Sequence, residues 1–194
     1  MARGRQRQMS AHSPGVSQIA AAMRTHGFEL AASRSVEDAH ALADKLIPGP
    51  IAPLRVVETV NARTGASVYL MREQGAAAGF LAFFWLSPLG ARAIMQGKFD
   101  ARNVAPEWAC PPGPDVENGY VWGFAGASRR ACFSVVRAGR MMREAMFPHL
   151  RLFARAASPQ GGKIMQALGF GAVVDADPSL CVSPPLAEAF RANA

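Results

Sequence analysis

Lysine is nearly missing from this chain. Only Lys45, Lys98 and Lys163 accompany 18 arginines, an imbalance that, with abundant alanine and glycine, fits a GC-rich genome. Cysteine is scarce as well. Cys110, Cys132 and Cys181 are widely spaced and odd in number, with no Cys-x-x-Cys or Cys/His cluster. That excludes a disulfide framework and a zinc site, and it suits a reducing cytoplasm. No long apolar run occurs either. The longest, Ala76 to Leu86, falls well short of the ~20 residues that span a bilayer and reads instead as a buried strand. No continuous apolar region follows the basic N-terminus, so no signal peptide is expected. Neither a Gly-x-Ser-x-Gly elbow nor a Ser-His-Asp ordering is present, which argues against a hydrolase.

What is there is an ordinary globular composition, with 50% hydrophobic and 18% charged residues in 194. We expect a basic, disordered tail over 1–15 and a single domain over 16–194. The net charge of +7 raises nucleic-acid binding as a question. Arg3, Arg5 and Arg7 sit in the tail, and the aromatics sit inside apolar runs rather than among the basic residues, so nucleic acid is not the expected partner. Of the histidines, His12 falls in the tail, His26 beside a helix end and His40 in a helical region.

Periodicity predicts helices over 17–27 and 36–46, the second with Val36, Ala39, Leu42, Ala43 and Leu46 on one face and Ser35 as its cap. Ile47-Pro-Gly-Pro ends it. Strands are predicted over 54–61, 67–72 and 79–86 as an antiparallel meander, with turns at Arg63-Thr-Gly-Ala and Gln74-Gly75. Ser87 allows a helix to about Gln96. Residues 97–119 read as an irregular proline-rich loop, either shaping an acceptor site or forming an exposed insertion. A strand over 119–124 and a long helix from Ser128 to about Phe147 follow, and Pro148 stops that helix.

The last third is the most explicit. Leu150 to Arg155 alternates as a strand, Ser158 caps a helix, and Pro159 fits its first position. Ile164, Met165 and Leu168 share a face. Gly169 suits a left-handed stop, and an apolar run from Phe170 through Gly171 to Val174 restarts a strand. The strand, the capped helix and the ending Leu168-Gly169-Phe170 resemble the last motif of the GNAT superfamily of N-acyltransferases. The resemblance implies a mixed α/β, mostly antiparallel central sheet with flanking helices and a β-α-β-α-β C-terminal half. It also implies an acyl-CoA donor, acetyl-CoA or a longer acyl-CoA, and a small-molecule or protein amine as acceptor.

In that family the fourth and fifth strands splay apart around the pantetheine arm, and the coenzyme pyrophosphate sits at the start of the following helix. The matching positions here are Phe124, Gly126, Ala127, Ser128, Arg129, Arg130 and Ala131. A helix start binds anions through unpaired amides and a positive dipole end. Two arginines there oppose the dipole, which points to a ligand anion or else to a solvated arginine-rich face. Cys132 and Ser134 stand where the family usually places glycine-like residues. The Tyr that many members use as acid corresponds to Met165. Candidate catalytic substitutes are Glu73, Tyr120 and Ser158, with Glu117 and His149 further candidates.

The chain also shows a weaker resemblance to the toxin-activating lysine acyltransferases, through Gly79 to Leu86, Trp108, Trp122 and Phe147-Pro148. Their functional His would correspond to His40, but the strand Val121-Trp122-Gly123-Phe124 lacks their Asp. A degenerate, non-catalytic binding domain of the same fold is the alternative reading. Whether the chain pairs as a homodimer is left open, and no membrane partner is expected.

Overall fold

The computed structural model describes residues 14–173 and 179–188. The arginines of the tail, His12 and the end of the apolar run at Val174 lie outside the described residues. In chain order the elements are α1 (Val16–Arg24), β1 (Phe28–Leu30), α2 (Arg34–Leu46), α3 (Leu54–Thr64), β2 (Val68–Glu73), β3 (Ala76–Leu86), α4 (Pro88–Met95), β4 (Ala109–Cys110), β5 (Asn118–Gly126), α5 (Arg129–Met141), β6 (Arg151–Arg155), α6 (Pro159–Ala167), β7 (Gly171–Ala172) and β8 (Leu180–Ser183).

These strands form one eight-stranded sheet in the order β1-β2-β3-β5-β6-β8-β7, with β4 pairing the end of β3. Among the described residues only β5 and β6 run parallel, because α5 crosses between them. Every other pairing is antiparallel. The expected mixed α/β, mostly antiparallel sheet with flanking helices is therefore present, and the C-terminal half follows the expected strand-helix-strand-helix-strand order.

The sheet is covered on both faces. On one, α1 and α5 bury Ile19, Met23, Ala131, Val135 and Ala138 against Tyr69, Leu81, Phe83 and Trp85. On the other, α2 packs Val36, Ala39 and Leu42 on Val68, Leu70 and Phe80. Farther along that face, Val60 of α3 and Ile94 of α4 meet Phe84, Phe99 and Tyr120. At ~25 cal/mol per Å² of apolar surface removed from water, fully buried side chains such as Trp85 and Phe84 are the main source of cohesion.

Several elements depart from expectation. Residues 54–61 form helix rather than strand. Their valines favour a strand locally, but Val60 is fully buried against the sheet and Gly65, at φ 73°, closes the helix in the left-handed region. Asn61 then secures the exit, accepting from the Ser67 and Val68 amides at 3.1 and 3.0 Å and donating to the Ala31 carbonyl. Helix α2 starts before Ser35: its cap position is Ser33, whose side chain makes no capping bond.

The long helix stops being α-helical at Met141 and continues as a π-helical turn, Met142–Met146. Residues 97–119 are not wholly irregular, since Pro106–Trp108 makes a 3₁₀ turn leading into β4. After Gly169, at φ 83°, the described part of the expected strand is Gly171–Ala172, and it pairs with β8 rather than β6. Both short strands β1 and β8 escape the periodicity reading, because three or four residues carry too little alternation.

Candidate active site

β5 and β6 are paired only from Asn118↔Arg151 to Val121↔Ala154. Beyond that point β5 continues for five residues to Gly126 while β6 ends at Arg155. The parting is helped by a bulge. Phe83 pairs with Val121 and Ala82 with Gly123, so Trp122 is an extra residue on β5. Bulges bend and twist their strand, and this one lies where the two strands separate.

A cavity of about 750 Å³ opens at the separation. Its walls come from both faces of the sheet. Cys132, Val135, Ile164 and Met165 line it from the α5 and α6 side, and His40, Ile47, Ile51 and Phe99 from the α2 side. Gly123 and Phe124 form its β5 edge and Ala156 to Ser158 its β6 edge. It is thus a passage through the sheet, with backbone of 122–126 along one side that no strand covers among the described residues.

Of the proposed catalytic residues, Tyr120 and Ser158 line this cavity and Glu73 does not. Tyr120 is buried, and its phenolic oxygen accepts from Arg155 Nη1 at 3.4 Å. Ser158 caps α6, its Oγ accepting from the Gly161 amide at 3.0 Å with Pro159 in the first turn. Glu73, at the end of β2, instead faces the start of α5. Glu117 lies just before β5, where its carbonyl accepts from the Arg151 amide. His149 lies outside the cavity lining, and its pKa is held below the usual histidine range, chiefly by burial.

Of the proposed coenzyme-binding residues, Phe124 and Gly126 line the cavity, while Ala127, Ser128, Arg129, Arg130 and Ala131 lie next to it at the α5 start. Ser128 caps α5, accepting from the Ala131 amide at 3.0 Å. Among the described residues the amides of Arg129 and Arg130 carry no hydrogen bond, and both side chains are exposed. Gly126 must be glycine, since a Cβ there would fall 2.4 Å from the Cys132 nitrogen. Bare amides, a dipole end and two guanidiniums fit a phosphate group. The opposing element is Glu73, whose Oε2 accepts from Ser128 at 3.0 Å and whose Oε1 lies 3.9 Å from Arg130 Nε.

Two further contributors had entered the sequence reading only through the weaker resemblance and as part of the 97–119 loop. His40 lines the cavity from α2 and donates from Nε2 to the Ala52 carbonyl at 2.8 Å, which leaves Nδ1 as the ring's proton-accepting nitrogen. The loop segment Phe99 to Arg102 also lines it, held by Trp122 Nε1 donating to the Ala101 carbonyl at 2.7 Å. That segment belongs to the 97–119 loop, for which the sequence had left a site wall and an exposed insertion equally open. Met165 lines the cavity, as does the strand segment Val121-Trp122-Gly123-Phe124.

No protein-family model and no curated protein matches this chain. Among solved structures, it is similar to one described as histone acetyltransferase HPA2 and related acetyltransferase from Corynebacterium glutamicum, at 15% identity and a TM-score of 0.41, over 81% of this chain and 95% of that one.

Proposed function

We propose that this chain is an acyl-CoA-dependent N-acyltransferase that moves an acetyl or other acyl group to an amine. The observation that carries this reading is the cavity through the sheet where β5 and β6 part, with an anion-ready helix start at its edge. A thioester enters such a passage from one face and an amine from the other, so the reactants meet between the strands. Acyl-CoA supplies the thioester carbonyl; the C–N bond forms as the C–S bond breaks.

The chain's own residues have definite tasks in this scheme. Arg129, Arg130 and the bare amides hold the pyrophosphate. An amide from the uncovered edge of β5 stabilises the oxygen that becomes negative at the acyl carbon. Tyr120 is the candidate donor of a proton to the departing thiolate, since the guanidinium of Arg155 already occupies a lone pair of its oxygen. His40 Nδ1 is the candidate acceptor of the amine proton, directly or through one water. Ser158 stays with helix α6 as its cap.

Titration calorimetry with acetyl-CoA and free CoA tests the reading. Binding that weakens about tenfold in an Arg129→Ala/Arg130→Ala variant, the scale of one lost charge-assisted contact, supports it. Absence of binding to either ligand overturns it.

A second reading, a non-catalytic ligand- or partner-binding domain of the same fold, is favoured by Met165 at the acid position and by the carboxylate of Glu73 facing the helix start. CoA binding without acyl transfer to any amine in a screen would select it. In either case we place the protein as a single cytoplasmic domain, with a homodimer as an arrangement to be tested by light scattering.

A further inference from the structure

A second cavity, of about 80 Å³, lies between α5, α6 and the sheet. It shares Val121, Phe124, Val135, Val136, Ala154 and Met165 with the passage between the strands, so the two adjoin. Its other walls include Gly139, Met142 and Leu168, which do not line the passage. Arg143 also lines it, with its Nε unpartnered among the described residues. Its Nη1 donates to the carbonyls of Phe147 and Leu150, and its Nη2 to Ser183 Oγ and the Pro184 carbonyl.

Protein interiors are close-packed, and an unfilled apolar space forfeits dispersion contacts on every wall. Here the space is enlarged by a residue the helix disfavours. Gly139 sits inside α5, where glycine is a poor helix former. Its backbone is not left-handed, and a Cβ would meet only Leu81 Cδ1 at 3.9 Å. Neither conformation nor crowding requires glycine there. Its effect is to leave room.

We propose that this space receives the tail of the donor's acyl group, and that the donor is the thioester of a short- to medium-chain fatty acid. The proposal rests on the acyl-CoA reading of the adjoining passage. At ~15 Å³ of such volume per water-sized group, the space holds a tail on the order of five carbons. The walls call for an alkyl chain, because every lining residue but Arg143 is apolar and the Nη1 and Nη2 of Arg143 are committed elsewhere.

The test is calorimetry of the full chain with free CoA and its acetyl, butanoyl, hexanoyl, octanoyl and succinyl thioesters. Affinity should rise about fourfold per methylene up to roughly hexanoyl and then level off. Gly139→Ala should shorten the rise by about one methylene, and Gly139→Leu should abolish it, with circular dichroism reporting that each variant is folded. The wild-type series stands even where a variant does not fold. CoA binding with no dependence on chain length would overturn the acyl pocket and leave the acyl-CoA reading intact. Succinyl binding tighter than butanoyl would overturn the alkyl assignment. No binding by any of them would remove both.

Discussion

Ser128 and Glu73 are joined across the molecule, the hydroxyl at the start of α5 donating to the carboxylate at the end of β2 over 3.0 Å. The same Ser128 oxygen caps the helix, so one side chain links the dipole's positive end to a negative charge. A phosphate at this helix start would meet that charge. Glu73→Gln should therefore tighten CoA binding, by about threefold to tenfold for a partly screened unit charge. The gain should shrink in high salt, as calorimetry at two ionic strengths would show. Weaker binding in the variant would mean that the carboxylate orients Ser128 rather than opposing the ligand.

Arg143 is a buried cation held by three carbonyls and Ser183 rather than by a carboxylate. It ties the π-helical turn to the chain ahead of β6 and to the end of β8. Burial lowers its pKa from the ordinary arginine range. Arg143→Met should cost about 2–4 kcal/mol in urea denaturation, because the carbonyls lose their donors in a dry place. Arg143→Lys should recover little of it, since one ammonium cannot span the same acceptors. A loss under ~1 kcal/mol would show that water replaces the guanidinium there.

His149 gives stability a pH dependence. Burial lowers its pKa, the nearby charge of Arg143 lowers it further, and a hydrogen bond with the Val116 backbone opposes both. The folded state therefore binds this proton less readily than the unfolded chain. Stability from His149 is complete above the unfolded value of about 6.5 and is lost as pH falls from there through the lower folded value. Denaturation midpoints measured from pH 7.5 to 5 should fall in the wild type, and the decline should flatten in His149→Gln. An equal decline in both proteins would assign it to other groups.

Tyr69 is fully buried and stacked on Phe83, and its hydroxyl has no hydrogen-bond partner among the described residues. Burial raises its pKa well above the usual phenol range. Tyr69→Phe keeps the ring and removes the bare hydroxyl, so stability should rise by about 1 kcal/mol. A fall of that size would reveal a partner for the oxygen.

How much of this was legible in the sequence depended on where the deciding forces act. Ser128 and Ser158 cap the helices they were expected to cap, because capping is settled within four residues. The left-handed stop at Gly169 is equally local. The helix over 54–64 was not legible, since its valines point locally to strand and only their burial under β3 reverses that preference. Arg129 and Arg130 could be placed at a helix start from sequence. That Glu73 would face them across 55 residues could not. Nor could Gly139 be separated from an ordinary weak helix position until its surroundings were seen to be open.

The bulge at Trp122 reverses side-chain parity along β5. Tyr120 and Phe124 are both even-numbered, yet Tyr120 meets Phe84 and Phe99 on the α3 and α4 side while Phe124 packs into the cluster under α5. One inserted residue therefore acts as a half-twist that lets a single strand show aromatic rings to both compartments. Deleting that residue would leave Val121 opposite Phe83 and Gly123 opposite Ala82, so Phe124 would keep its side and the strand would lose its bend together with the indole of Trp122. Which compartment each ring of β5 faces is thus written into the spacing of the chain as much as into its side chains.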